Sequence, residues 1–375
     1  MRDELERVEI PQAREAERRA WAVTRAAFAA RAPARRRRRA PVRLALALVI
    51  AGALAAAVAS PPGRAVVDRV RAAVGVEHAQ PALFALPASG RLLVVSDAGA
   101  WVVQPDGSRR LLGGYRSASW SPFGRYVVAA KANELAALEP DGAVRWSLAR
   151  PGVRFPRWAG TRSDTRIAYV DRTGLRVVAG DGTGDRLLAP SETGPAAWRP
   201  GPLRQLAYAS ASEVRVQDAD SGRVLWRASR GPAERVTSIS WSTDGARLLV
   251  LAPHALRVYD ARGRLVARDD PADGTIDSAA AFVPGTRQVA VIRVRGAESD
   301  VFMLRGGRLL FRSTGVLEDL AVAPDGRWLL VAWPTADQWV LVGTGGDRRI
   351  RAVANVSTQF RTRSFPRIEG WCCAK

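Results

Sequence analysis

From about residue 83 to the end of the chain, short apolar runs alternate with turn residues in units of about forty residues. In the unit that starts near Ser117, a short apolar segment ends at Trp120. Ser121-Pro122-Phe123-Gly124 then supplies a turn, in which proline fixes φ and glycine takes the permissive corner. Arg125-Tyr126-Val127-Val128-Ala129-Ala130 follows as a nearly unbroken apolar run, the pattern of a strand covered on both faces. Glu134 to Leu138 predicts a third strand and Pro140-Asp141-Gly142 a second turn. Val144-Arg145-Trp146-Ser147-Leu148 predicts a fourth strand, and its alternation marks an outermost position with one wetter face. Four strands and three turns at this period describe one blade of a β-propeller.

The unit recurs. Its lead residues Trp120, Trp158, Trp198, Trp241, Phe282 and Val322 are separated by 38, 40, 43, 41 and 40 positions. Asp244-Gly245 and Asp325-Gly326 repeat the first turn ahead of Leu248–Leu251 and Trp328–Val331. Pro105-Asp106-Gly107-Ser108 and Asp181-Gly182-Thr183-Gly184 repeat the later turn ahead of Arg110–Leu112 and Arg186–Leu188. The last apolar piece, Phe365 to Trp371, matches Phe155-Pro156-Arg157-Trp158 and so reads as a first strand with no blade behind it. Conversely, Arg91–Val95 and Trp101–Gln104 read as later strands lacking their first. The C-terminal strand is therefore predicted to complete the N-terminal sheet, sealing the ring and removing two exposed edges. Six internal anchors plus this composite blade make seven blades of four antiparallel strands, with six blades as the alternative.

The Trp-Ser-Pro-x-Gly and Asp-Gly turns resemble the bacterial TolB-type or WD40-like propeller repeats, over roughly residues 83–371. Ala219-Asp220-Ser221-Gly222-Arg223-Val224-Leu225-Trp226 is similar to the docking motif of pyrroloquinoline-quinone-type propellers, and Glu139–Trp146 is a weaker copy. The resemblance implies an all-β propeller. It implies no particular activity, because propellers carry many unrelated ones, and no cofactor is expected.

The first eighty residues differ in kind. Leu44, Leu46, Leu48, Val49, Ile50, Leu54 and Val58 punctuate an Ala-rich stretch over 44–63 that carries no charge. Its twenty residues are close to the length of a membrane-spanning helix, and each Leu, Ile or Val favours insertion by about 0.3–0.6 kcal/mol near the centre. Arg35, Arg36, Arg37, Arg38, Arg39 and Arg43 precede the stretch directly, which keeps the N-terminus in the cytoplasm and exports the propeller. A cleaved signal peptide, cut after Ala57-Val58-Ala59, and a wholly soluble chain are the alternatives. Against cleavage stand the 43-residue polar region ahead of the stretch and Pro61 beside the cut.

Domain boundaries follow. Residues 1–43 form a basic cytoplasmic segment with a helix at about 12–31, 44–63 the membrane helix, 64–82 an amphipathic stalk and 83–375 the propeller. In the first of these, Ala16, Ala20, Val23, Ala27 and Ala30 keep helical spacing, with Trp21 and Phe28 on an adjoining stripe. That helix either rests on lipid or docks on a cytoplasmic partner.

The formal charge of +21 invites a nucleic-acid reading, but its distribution does not sustain one. Only Lys131 and Lys375 are lysines, and residues 1–43 alone hold 13 Arg against 6 acids, explained by topology. The remaining excess is scattered through the repeats, so nucleic acid is not expected as a partner. Attraction to anionic lipid or acidic wall polymers is. The two cysteines, Cys372 and Cys373, are adjacent near the end, so no disulfide staples distant parts of the fold; the pair reads as an ordinary tail.

Catalytic and metal signatures are sparse, and no catalytic, cofactor-binding or metal residue is assigned. His78 and His254 lack a second ligand at metal spacing. Asp181–Asp185 could suggest calcium but falls where the repeat calls for a hairpin turn. Asp269-Asp270 and Glu318-Asp319 are neighbours on strands, and strand neighbours point to opposite faces. Trp120, Trp146, Trp158, Trp198, Trp226 and Trp241 occupy repeat positions and predict packing between blades. Trp328, Trp333 and Trp339 crowd into one blade and could instead mark a ligand surface.

The leading expectation is a membrane-anchored extracytoplasmic propeller that binds or scaffolds a protein or cell-envelope component, with signalling to a cytoplasmic partner as an extension. The alternative is a cell-envelope hydrolase or lyase acting on carbohydrate, lactone or peptide. A third, weaker reading is a quinone-dependent domain.

Overall fold

In the computed structural model the described residues are 76–80, 85–192, 194–231, 235–346 and 349–373. The segment 44–63, its seven apolar anchor residues, the six flanking arginines and the helix expected at 12–31 lie outside them. Among the described residues no helix is long and apolar enough to cross a membrane.

Seven sheets make the propeller. Blades two to seven each take four consecutive strands, and blade one pairs the C-terminal strand Arg367–Cys372 with Arg91–Ser96, Gly99–Val103 and Arg109–Gly113. The seam predicted from sequence is therefore present, antiparallel, with Leu92 opposite Trp371 and Leu93 opposite Gly370. Blade seven carries a fifth strand: Val76–Gln80, inside the segment expected as a stalk, runs parallel to Ile350–Ala354 at its outer edge.

Burial follows the blade's radial order. Second strands are covered by neighbouring blades on both faces, as in Trp328–Trp333, where every residue is buried. Outer strands alternate, as in Val144–Ala149. Trp328, Trp333 and Trp339 are at most 7 % exposed, which corrects the idea of a ligand surface there: they are core between blades.

The repeat tryptophans connect successive blades in two ways. On inner strands, Trp198 donates its indole N–H to the Arg157 carbonyl at 3.0 Å and Trp241 to that of Ala197 at 3.2 Å, each reaching back one blade. On outer strands, the Trp146 ring lies on Gly182 of the next blade, and the Trp226 ring lies so close to Gly263 that a Cβ there would sit 2.7 Å away. The glycines of these outer turns thus serve two ends, a left-handed corner and a bare surface for the neighbouring ring.

Two contacts lock the seam besides the strand pairing. Phe360, 1 % exposed, meets Trp101 of blade one edge-on at 5.7 Å and Trp339 of blade seven at 5.0 Å. Asp97, in the turn between two blade-one strands, accepts the hydroxyls of Thr362 and Ser364, both at 2.7 Å, and the backbone N–H groups of Arg363 and Ser364. These four bonds hold its carboxyl well below the usual carboxylate range.

Candidate binding face

Strands alternate in direction, so the turns from first to second strand and from third to fourth share one face of the ring. The second-to-third turns and the crossings to the next blade share the other. On the first of these faces, from blade two to blade five, three depressions with common walls form one cleft. The central part, about 720 Å³, is lined by Phe123, Trp158, Trp198 and Trp241 with Arg157 and Arg162. The part between blades two and three, about 810 Å³, adds Tyr126, Trp146, Arg125, Arg145 and Cys373. A smaller hollow of about 160 Å³ continues towards blade four along Asp164, Arg166 and Arg204.

Local sequence explains each wall. Inner strands end on a Trp or Phe that anchors the blade, so four successive inner strands bring apolar rings to the same level. In blade two the turn that follows differs from those of blades five and seven. Where Trp241-Ser242-Thr243-Asp244 has an aspartate that accepts from Ser242 and Ala246, Trp120-Ser121-Pro122-Phe123 has a phenylalanine. Phe123 sits in the left-handed region (φ 67°, ψ 6°) and is 54 % exposed, with the Arg162 guanidinium over its ring at 4.6 Å. A bulky residue held there without a capping bond is an unfavourable turn, and its apolar surface faces the cleft.

The face is electropositive. Arg166 and Arg204 are neutralised by Asp164, and Arg145 by Glu139 at 3.3 Å. Arg125, Arg157 and Arg162 have no carboxylate within ion-pair distance among the described residues. Trp158 stacks on Tyr126 at 5.9 Å; its indole N–H is buried without a partner, unlike those of Trp198 and Trp241.

Two acids sit on the neighbouring inner strands of blades seven and one. Asp319 accepts the Ile368 N–H at 2.9 Å, and Glu369 pairs with Arg367 at 3.1 Å. Burial pushes both carboxyls up, and the Asp319 charge pushes Glu369 up further. Asp319 likewise raises its exposed sequence neighbour Glu318 across a bulge in the strand. In blade six, Asp277 is wholly buried against Arg293, which also pairs with Asp269; Asp270 pairs instead with Arg257. His254 lies nearby, with Nδ1 3.2 Å from the Thr275 carbonyl.

The remaining candidates are structural. Asp181 accepts from the Thr183 N–H and hydroxyl, as a hairpin turn requires. Asp185 instead enters a network between blades two and three, receiving Tyr169 at 2.7 Å, Arg176 at 3.0 Å and Arg150 at 2.8 Å. Cys372 and Cys373 are joined as a vicinal disulfide, so the tail expected to be ordinary forms part of the cleft wall. Among the described residues no three metal-ligating side chains converge. Sequence reasoning passed over Phe123 and Arg162; the available signal was a phenylalanine where the matching turns of blades five and seven place aspartate.

No family model and no curated protein matches the chain. Among solved structures, it is similar to a chain of the mitotic checkpoint complex, with a TM-score of 0.54 and 17% identity over 72% of this chain and 92% of that one. It is also similar to the β-propeller domain of Cps50 (Swd1) from Myceliophteria thermophila, with a TM-score of 0.49 and 13% identity over 64% of this chain and 86% of that one. The TolB-type and pyrroloquinoline-quinone-type resemblances remain those of the motifs alone. The architecture that these observations share is a seven-bladed, WD40-like β-propeller.

Proposed function

We propose that this chain is a binding or scaffold propeller for a protein or cell-envelope component, and that the partner docks on the turn face of blades two to five. The observation that carries this is the aromatic and arginine-lined cleft, with Phe123 held exposed at its centre against the preference of the turn. Apolar anchors inside a polar rim are the usual composition of a docking patch. Among the described residues the ring has no comparable concentration of nucleophile and base, and the chain is similar in fold to a chain of the mitotic checkpoint complex.

The reading extends to topology: residues 44–63 anchor the chain as a single helix, Arg35–Arg39 and Arg43 stay in the cytoplasm, and the ring lies outside it. The helix at 12–31 is then placed to pass a signal inward. Protease protection of the propeller in intact cells, alongside its digestion in spheroplasts, is the expected topology result; protection in both would reverse it.

Docking is tested by a photo-crosslinking residue at position 123, at 162 and, on the opposite face, at Asn133. Adducts in gently solubilised membranes from the first two alone are expected, and adducts from Asn133 alone would reject this face. The hydrolase or lyase alternative would work from Asp319 and Glu369, whose carboxyls are both raised by burial.

A further inference from the structure

Resting on that docking face, we infer that the docked partner presents an extended acidic peptide segment bearing at least one bulky apolar side chain. The charge on the face asks for it. Arg125, Arg157 and Arg162 line the cleft with no carboxylate of their own at ion-pair distance among the described residues, although Glu369 lies within electrostatic reach of Arg157. Uncompensated guanidiniums beside apolar walls gain most from carboxylates delivered on a ligand that also covers those walls.

The geometry separates a peptide from other anions. Single-stranded nucleic acid needs successive open ring faces to stack on. Here Trp198 and Trp241 are each 8 % exposed, Trp158 already stacks on Tyr126, and Arg162 covers Phe123. No run of free π-faces is left for bases. A lipid surface would call for a protruding apolar patch, and this one is concave. The central hollow of about 720 Å³ lies in the range that holds a compact ligand group, and it continues between blades two and three as a trough. An extended chain fits a hollow that leads into a trough, with its apolar side chain beside Phe123 and its acids towards Arg125 and Arg162.

The test uses the full-length protein in mild detergent and fluorescein-labelled peptides of twelve residues. One has Glu at alternate positions and two Trp; the other carries Gln for every Glu. Anisotropy titrations should show the acidic peptide binding about tenfold more tightly than the Gln peptide, with the gap closing as salt is raised. Arg125→Gln with Arg162→Gln should weaken the acidic peptide about tenfold and leave the Gln peptide unchanged, while Arg227→Gln, on an outer strand, changes neither. Phe123→Ala should weaken both peptides. Equal binding of the two peptides, both lost on Phe123→Ala, overturns the acidic class and leaves the docking face standing. Tighter binding of an oligothymidine of twelve nucleotides overturns it in favour of nucleic acid. Failure of both peptides while crosslinks at positions 123 and 162 persist overturns it too; failure of peptides and crosslinks together removes the face as well.

Discussion

Phe360→Ala tests whether the ring is held shut at one seam. Phe360 is 1 % exposed and contacts aromatic residues of both blade one and blade seven, through Trp101 at 5.7 Å and Trp339 at 5.0 Å. Truncating a buried phenylalanine costs about 3–5 kcal/mol, of which each aromatic contact supplies about 0.5–1.5 kcal/mol. The near-complete burial places the expected loss at about 4 kcal/mol. With an m-value of about 3 kcal/mol per molar urea for a domain of this size, the midpoint should fall by about 1.3 M. Core loss alone would do as much, so the informative readout is local. Amide exchange at Arg91–Ser96 and Arg367–Cys372 should accelerate by about three orders of magnitude if the seam opens on its own, at 1.4 kcal/mol per decade. Phe311→Ala is the control: it is 3 % exposed against Trp333, and its loss should lower the midpoint without singling out the seam. A loss below about 1 kcal/mol for Phe360→Ala, or exchange at the seam no faster than in Phe311→Ala, would refute the argument.

Phe123→Asp installs the residue found in the sister turns at Asp244 and Asp325, so it should raise Tm by about 2–4 °C for each kcal/mol of relieved strain while abolishing crosslinks on the cleft; a fall in Tm would show the turn is not strained. Asp185→Ala leaves Arg150, Arg176 and Tyr169 without their acceptor between two blades and should cost about 3–5 kcal/mol in urea unfolding, with Asp185→Asn closer to the parent. In the parent, burial opposes ionisation of Asp185, but the bonds from Arg176, Tyr169 and Arg150 prevail and hold its carboxyl low, while burial and the bond to Asp185 push the Tyr169 hydroxyl up to about 12. Two groups should give opposite pH responses in thermal melts. Asp97 is depressed by its four bonds, so its stabilisation is present above the unfolded carboxylate pKa of about 4 and is lost as pH falls further; Asp97→Ala should remove that acid limb. Glu369 is raised by burial, so its contribution is complete below about pH 4 and is lost as pH rises through its folded value; Glu369→Gln should be more stable than the parent at neutral pH and no different in acid.

The fold was legible because a propeller repeats its physics. Every blade must bury its second strand on both sides, turn within a few residues and dock on the next blade, and each demand leaves a local mark. The turn after Trp120 and the alternation of Val144–Leu148 could be read directly, and Glu134–Leu138 has the bounds that its pattern gives. Even ring closure was legible, because Phe365–Trp371 lacked a blade and Arg91–Val95 lacked a first strand. What could not be read was pairing between distant residues of similar kind. Nothing local marks Asp319 to come within reach of Glu369 as well as of its neighbour Glu318. Nothing in the Asp-Gly turn at 181 shows that Asp185 leaves it to meet Arg150.

The binding face was hidden for a different reason. Its aromatic walls are the repeat's own tryptophans, and at Trp198 and Trp241 they are explained by packing and by indole bonds to the preceding blade. A repeat position carries no information about a ligand while it obeys the repeat. Information lies in the departure: Phe123 where Asp244 and Asp325 stand in sister turns, an exposed ring where a carboxylate would cap the backbone, and Arg162 drawn over it. Trp158, which like Trp120 and Trp371 lacks the indole bond of Trp198 and Trp241, stacks on Tyr126 beside it. The exposed ring of Phe123, the guanidinium over it and the stacked Trp158–Tyr126 pair lie in the same two blades and on the same side of the ring. Exposed apolar surface beside arginines with no carboxylate at ion-pair distance is the composition that a docking patch calls for, and it is this combination, rather than any one residue, that argues for the proposed face.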